Sequence, residues 1–149
     1  MSEHVKQLII VRKDLNMSIG KLGAQISHAS MAFLSKEIQK GILYDCGDAY
    51  EIHFKIDKSI NDHWLGGIFT KVVCGAKNKN QLLKAITMAE ELGLKENEDF
   101  FIIRDNCLTE LEPEEFDENG VGRTITCIGF KPLDITIMEK ISKKYQLLK

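Results

Sequence analysis

The chain has 149 residues, of which 44% are hydrophobic and 28% charged, and its formal net charge is −2. This balance is typical of a globular protein and predicts one domain over residues 1–149. No apolar run approaches the roughly 18 residues that a membrane span needs, and residues 1–10 lack the pattern of a signal peptide. We therefore expect a cytoplasmic protein with no membrane partner.

The charges are unevenly distributed along the chain. Residues 105–118 contain seven of the 22 acidic residues and none of the 20 basic ones, so the remainder of the chain is basic. The distribution of charge matters more for nucleic-acid binding than the sum. An RNA partner is therefore compatible with the negative net charge.

The first predicted elements are a strand and a long helix. Residues 5–12 include an unbroken apolar run from Leu8 to Val11, which predicts a strand buried on both faces. In residues 19–39 apolar side chains recur with the 3.6-residue period of a helix, and Gly41 is a candidate C-terminal cap. The apolar stripe of this helix consists of Leu22, Ile26, Ala29 and Phe33, with Leu34 and Ile38 on a neighbouring row.

The remaining pattern alternates between strands and helices. Residues 50–56 alternate weakly, as an edge strand does, and residues 59–67 favour a short helical turn. Three further apolar runs predict buried strands at residues 71–74, 100–103 and 125–130. Two further helices are predicted at residues 79–92, ended by Gly93, and at residues 134–145, with Asp134 as the N-cap.

Strands that are buried on both faces need helices on both sides of the sheet. The alternation therefore predicts an α/β fold in three layers, α/β/α, around four main strands. The four cysteines and four histidines show no spacing typical of a metal site, so we predict no structural metal and reduced thiols rather than disulfides.

Polar residues at the start of the long helix are also regularly spaced. Lys21, Gln25 and His28 follow one another at i, i+4 and i+7, which places them on one face, opposite the apolar stripe. They could line a site, but the spacing alone favours an ordinary solvated face. A phosphate-binding loop is excluded, because Leu15 and Leu22 stand where that motif needs glycine and a hydroxyl residue.

A second candidate group follows the strand at residues 100–103. Asp105 stands just beyond its carboxyl end, Thr109 comes four residues later, and Thr124 and Thr126 open the next apolar run. A carboxylate there could position or deprotonate a water molecule, and threonine hydroxyls could hold that water or an oxyanion. Equally, Asp105 could simply begin a turn and the threonines favour β-structure.

Residues 11–33, VRKDLNMSIGKLGAQISHASMAF, resemble the signature of the type II peptidyl-tRNA hydrolases. The likeness continues more thinly through Trp64, Gly67, residues 71–73, Gly93 and the two later strands, in the same order over nearly the whole chain. The positions that match the signature are Arg12, Asp14, Leu15, Met17, Gly20, Lys21, Ala24, Gln25, Ser27, His28 and Ala29.

The resemblance implies an activity and a site. Enzymes of this family cleave the ester between a peptide and the terminal ribose of tRNA, without a metal or other cofactor. The family usually has a mixed four-stranded sheet between helices and often forms homodimers. The residues that carry over are Lys21, Asp105, Thr109 and Thr126 as the catalytic group, with Gly20, Gln25 and His28 assigned to substrate binding.

Two departures from the family pattern leave an alternative open. The family generally has Asp-Ala-Gly-x-Thr where residues 105–109 are DNCLT, which puts Cys107 in the place of a glycine that permits a tight turn. The segment between Thr109 and Thr126 is longer than usual and acidic, so it should repel a polyanionic substrate. The alternative hypotheses are a non-catalytic protein that binds RNA or another protein, and an enzyme whose acidic segment acts as a lid.

Overall fold

The computed structural model describes residues 4–149, and the first strand, β1 (Val5–Arg12), lies at the centre of its main sheet. Leu8 and Ile10 pack into the core on one side of the sheet, and Ile9 and Val11 pack on the other. Successive side chains of a strand point to opposite faces, and all four of these are fully buried. The prediction of a strand buried on both faces is confirmed.

The chain continues through helices and strands in alternation, as predicted. The π-helical segment Asn61–Ile68 follows the short helix α2 directly. The elements after β1 are α1 (Ile19–Lys40), β2 (Ile42–Asp45), β3 (Tyr50–His53), α2 (Lys58–Ile60), β4 (Lys71–Ala76), α3 (Lys79–Glu91), β5 (Phe100–Asp105), β6 (Glu115–Phe116), β7 (Gly122–Phe130), β8 (Leu133–Asp134), α4 (Ile135–Ser142) and β9 (Gln146–Leu147).

The main sheet has the order β5-β7-β1-β4-β9, with β6 paired to β7 and β8 paired to β1. Strand β1 is parallel to β4 and antiparallel to β7, and β7 is antiparallel to β5, so the sheet is mixed. Its four long strands are the four predicted ones. Three two-residue strands, β6, β8 and β9, bring the total to seven. They were not predicted, because such short pairings leave no apolar pattern in the sequence.

Helices cover both faces of this sheet. Helix α1 packs against β7, β5 and β1, whereas α3 and α4 pack on the opposite face. On the α1 face, Phe33 contacts Trp64 of the π-helical segment with their rings nearly perpendicular, 5.9 Å between centroids. The predicted α/β/α arrangement is therefore confirmed, and it places the amino end of α1 next to the carboxyl ends of β1 and β5.

A close approach fixes the position of α1 on the sheet. A Cβ atom at Gly129 of β7 would lie only 2.1 Å from the carbonyl oxygen of Ala29 and 2.9 Å from its Cα. Only glycine permits the helix backbone to come this near to the strand. The contact lies midway along α1 and determines how far the helix stands from the sheet.

The strand predicted at residues 50–56 is present as β3, but it is shorter and lies outside the main sheet. Among the described residues, strands β2 and β3 pair only with each other, in a two-stranded hairpin apart from the main sheet. Every residue of both strands is exposed, so the weak alternation of residues 50–56 did not mark a buried face. The short helical turn predicted for residues 59–67 is confirmed by α2 and the π-helical segment.

The predicted helix ends agree with the structure apart from small shifts. Gly93 has φ +83°, the left-handed conformation that ends α3, and the Asp134 side chain accepts from Thr136 N at the start of α4. Helix α4 ends at Ser142 rather than residue 145. Gly41 follows α1 in an extended conformation, and a Cβ there would lie 2.8 Å from His53 O.

All four cysteines are free thiols; Cys74 and Cys127 are buried, Cys107 is half-buried and Cys46 is exposed. Between residues 4 and 149, no helix combines the length and the apolar character needed to cross a membrane.

We expect Gly129→Ala to destabilise the fold by about 3 kcal/mol or more, because the added methyl group collides with the backbone of α1. The matched control is Gly23→Ala, where nothing lies within 4 Å of the added atom, and it should stabilise α1 by about 0.5–1 kcal/mol. Urea unfolding of the three proteins measures both effects. Equal stability of Gly129→Ala and the wild-type protein would contradict the close packing.

Candidate active site

Two charged side chains meet where the amino end of α1 lies over the carboxyl end of β5. Lys21, in the first turn of α1, donates a hydrogen bond from Nζ to Asp105 Oδ1 at 2.7 Å. The exposed fractions of the two side chains are 15% and 11%, so both are largely buried but still reachable from solvent. Ser18 caps this end of α1, since its hydroxyl accepts from Lys21 N. The sequence placed these two residues 84 positions apart, and the fold brings them into contact.

Gln25 extends this contact into the core. Its Nε2 donates to Asp105 Oδ1 at 3.1 Å, and its Oε1 accepts from the Thr126 hydroxyl at 2.6 Å. Gln25 is 2% exposed and Thr126 is fully buried. Each partner therefore fixes the orientation of the next, from Thr126 on β7 through the Gln25 amide to the Asp105 carboxylate.

The turn after Asp105 completes the cluster. Thr109 Oγ1 accepts a hydrogen bond from Lys21 Nζ at 3.2 Å, and Cys107 N donates to Asp105 Oδ2 at 2.9 Å. Cys107 has φ +58°, so it adopts the left-handed conformation that glycine would take at this position. The cysteine therefore follows the glycine-type path of the turn and supplies the backbone N–H that the carboxylate accepts.

The surroundings of Asp105 set its ionisation. Burial by itself would raise the pKa of this carboxyl group, but the hydrogen bond from Lys21, the N–H of Cys107, the positive charge of Lys21 and the Gln25 amide together lower it below the usual value. Asp105 is therefore a carboxylate at neutral pH. A carboxylate with a lowered pKa is a weak proton acceptor, so it is better suited to orienting a water molecule than to removing its proton completely.

The polar residues of α1 are arranged differently from the prediction. Gln25 lies in the same row as buried Ala29 and Phe33, so Lys21 and Gln25 extend the buried stripe instead of facing away from it. His28 is exposed, and Gly20 is exposed in the first turn with open space around it. The structure thus brings together five of the seven predicted site residues, and His28 and Gly20 remain outside their hydrogen-bond network.

Sequence analysis missed a second polar cluster beside the first. Arg12 is 4% exposed and forms bidentate ion pairs with both Asp14 and Glu114, at distances of 2.6–3.1 Å, and it also donates to Ile125 O. These bonds raise the pKa of Arg12 despite burial, and they lower the pKa of both carboxylates. Arg12 and Asp14 both match the family signature in residues 11–33, and this match is the sequence feature that could have indicated the cluster.

The acidic segment is fastened to the body of the protein. Glu114, Glu115 and Asp117 pair with arginines, and Glu110 accepts two hydrogen bonds from Ser18 at the start of α1, from N at 2.8 Å and from Oγ at 2.7 Å. Paired carboxylates repel an approaching anion less than free ones. The three arginine partners are Arg12, Arg104 and Arg123, respectively.

Comparison with known proteins identifies the family of this chain. The family model "Peptidyl-tRNA hydrolase PTH2" matches residues 5–148. The chain belongs to this family. A peptidyl-tRNA hydrolase of Methanopyrus kandleri is 31% identical over 97% of this chain and 98% of its own length. Peptidyl-tRNA hydrolases of Thermoplasma acidophilum and Sulfurisphaera tokodaii are 29% and 30% identical, and each covers 96% of this chain.

In this member of the peptidyl-tRNA hydrolase PTH2 family, the cluster offers the elements of hydrolysis without a covalent step. An ammonium group has three N–H donors, and Lys21 uses two of them for Asp105 and Thr109, which leaves one for a substrate oxygen. Asp105 Oδ2 accepts only one backbone N–H and can accept a further bond from water. Within residues 4–149, no three His, Cys, Asp or Glu side chains are arranged to hold a metal ion.

We expect Lys21→Gln to raise the pKa of Asp105, since it removes the strongest favourable partner of the carboxylate and leaves the burial that opposes ionisation. NMR titration of the Asp105 carboxyl carbon measures the change directly. In the wild-type protein the lowered pKa stabilises the fold above the unfolded value of roughly 3.9, and this contribution is lost as the pH falls through the folded value. An unchanged Asp105 pKa in the variant would show that the ion pair has no effect.

Proposed function

We propose that this chain hydrolyses the ester between a peptide and the terminal ribose of tRNA, and so releases tRNA for reuse. The single observation that supports this most strongly is the ion pair of Lys21 with Asp105. Gln25 donates a hydrogen bond to the Asp105 carboxylate, and Thr126 in turn donates one to Gln25. The relatives named peptidyl-tRNA hydrolase, which align over nearly their whole length, support the same substrate. No observation on residues 4–149 favours the alternative of a binding protein without activity.

In the proposed mechanism, Asp105 orients the attacking water and Lys21 stabilises the negative charge that develops on the ester oxygen. Thr109 holds Lys21 and offers its hydroxyl proton to the water or the oxyanion. A carboxylic ester is an activated bond, so positioning and charge stabilisation suffice without a covalent intermediate. The proton that water loses passes to the leaving ribose oxygen, either directly or through the Thr109 hydroxyl.

Thr126 has a positioning role in this proposal. It is fully buried, so its hydroxyl reaches the substrate only through the Gln25 amide. Gly20 and His28 are exposed and precede and follow Lys21 and Gln25 on α1, and we retain them as substrate-binding residues. The proposal also takes residues 1–149 as one domain that acts in the cytoplasm, where peptidyl-tRNA arises. It further takes the protein to be a homodimer, which analytical ultracentrifugation would test.

Asp105→Asn should lower kcat for N-acetyl-aminoacyl-tRNA by about 10²–10³-fold, because the neutral amide neither orients water equally well nor balances the charge of Lys21. Release of the N-acetyl-amino acid under single-turnover conditions measures the effect. The matched control is Asp48→Asn, an exposed aspartate in the turn between β2 and β3, which should keep wild-type activity. Absence of release by the wild-type protein, or undiminished release by Asp105→Asn, would overturn the proposed function.

Thr126→Val should lower kcat by about tenfold with little change in KM, because the buried Gln25 oxygen loses its donor and the amide is free to turn away from Asp105. Thr126→Ser keeps the hydroxyl and should restore kcat. If the serine and valine variants were equally impaired, the effect would come from packing rather than from the hydrogen bond. Thermal unfolding of both variants checks that they are folded.

A further inference from the structure

Three lysines line a groove at the end of the main sheet where the carboxyl ends of β1, β4 and β5 lie, which is also the end that carries Lys21 and Asp105. The groove has a volume of about 180 Å³, and none of the residues from 4 to 149 that line it is acidic. Lys13, Lys77 and Lys144 are exposed, and across residues 4–149 none of the three takes part in an ion pair. Gln81 and Gln146 provide neutral polar groups beside them.

The sheet topology places this groove at a defined distance from the candidate active site. Strands β1, β4 and β5 all end at the same edge, because β1 is parallel to β4 and both β1 and β5 are antiparallel to β7. Lys13 and Lys77 directly follow β1 and β4, and Asp105 ends β5. Three strand spacings separate β5 from β4, which is about 14 Å.

Lys13 is held in the groove by the strand beneath it. A Cβ at Gly75 would lie 2.6 Å from Lys13 Cδ and 3.0 Å from its Cγ, so the lysine stem lies flat on the backbone of β4. Gly75 is on the same face of the sheet as Val73, which packs on the side of α1. Asp105 binds Lys21 and Gln25 of α1 and is therefore on that face as well.

Two carboxylates beside Arg12, the residue that precedes Lys13, are already paired. Asp14 and Glu114 both bind Arg12, and Glu114 also lies 4.0 Å from Lys79 Nζ. Arg12 and Lys79 together offset these two carboxylates, so they add no excess negative charge beside Lys13 and Lys77. Exposed lysines such as these complement a nucleic-acid backbone, whose phosphates are its recurring negative charges.

We propose that Lys13, Lys77 and Lys144 bind backbone phosphates of the tRNA whose 3′ end occupies the Lys21–Asp105 cluster. This inference rests on the proposed function for the identity of the RNA. The groove supplies affinity for the tRNA body, while the cluster supplies chemistry on the ester. Because phosphate contacts release counterions, the contribution of the groove should weaken steeply with salt.

The experiment compares two double variants with the same net charge. Lys13→Gln/Lys77→Gln removes two groove cations, and the control Lys36→Gln/Lys95→Gln removes two exposed lysines remote from this edge. Lys36 is 15 positions beyond Lys21 on α1, or about 22 Å along the helix, and Lys95 precedes β5 at the opposite edge. Lys13→Arg/Lys77→Arg retains the charges.

Binding of deacylated tRNA over a range of KCl concentrations is the first measurement. We expect each lost groove lysine to weaken Kd roughly five- to tenfold at ~0.1 M salt and to reduce the slope of log K against log salt by about 1. The control and the arginine variant should bind as the wild-type protein does. Equal losses in the groove and control variants, or unchanged binding in the groove variant, would overturn the proposal.

Hydrolysis of two substrates separates this inference from the proposed function. With N-acetyl-aminoacyl-tRNA, the groove variant should show a raised KM at unchanged kcat; with an N-acetyl-aminoacyl ester of adenosine, which has no phosphate, it should match the wild-type protein. A loss of turnover on both substrates would reveal a structural effect and reject the groove. If the wild-type protein hydrolysed neither substrate, the proposed function would fail, and the tRNA-binding measurement would still decide the role of the groove.

Discussion

Asp105 is a carboxylate with only a small part of its surface in water, and the local structure depends on meeting its need for partners. An ionised group loses several kcal/mol of hydration free energy when it is buried, unless nearby charges and donors replace the water. Lys21 supplies the charge, and the Gln25 amide and the Cys107 N–H supply further donors. Lys21 and Gln25 come from α1, and Cys107 comes from the turn after β5. The carboxylate is therefore satisfied only when α1, β5 and the following turn are all in place.

The same need for hydrogen-bond partners applies to Gln25, which is even less exposed than Asp105. The amide of Gln25 is itself buried, and its oxygen needs the donor that Thr126 provides. Such networks have an all-or-none character, because a partly satisfied buried polar group costs more free energy than an apolar one. The Arg12 cluster repeats the principle with a cation at its centre and two carboxylates around it. The two clusters hold these acids in fixed positions, and within residues 4–149 the nearby Lys13 and Lys77 form no ion pair.

The sequence predicted well those features that depend on local pattern. Apolar runs located the four long strands, the helical period located α1 and α3, and Gly93 and Asp134 marked helix ends because their conformations and side chains are suited to those positions. The family resemblance selected Lys21, Gln25, Asp105, Thr109 and Thr126, which the fold brings into one network.

Features that depend on tertiary context were not accessible in the same way. The spacing of Lys21, Gln25 and His28 placed Gln25 opposite the apolar stripe, although its position four residues before Ala29 continues the buried row. Hairpin β2–β3 alternates without a buried face, since nothing in the described chain covers it. The contact of Glu114 with Arg12 joins residues 102 positions apart, so no local pattern could have indicated it.

The close approach of α1 to Gly129 fixes one point of the helix on the sheet, and this point acts as a pivot for any tilt of the helix. Ala29 is eight residues from Lys21, which is about 12 Å along the axis. A tilt of only about 5° around this pivot would carry the amino end of α1 by roughly 1 Å, a displacement large enough to cost on the order of 10²-fold in rate at a catalytic centre. The precision of the polar cluster thus depends on a glycine that is not part of its hydrogen-bond network, and remote substitutions that shift this contact would act on chemistry through geometry alone.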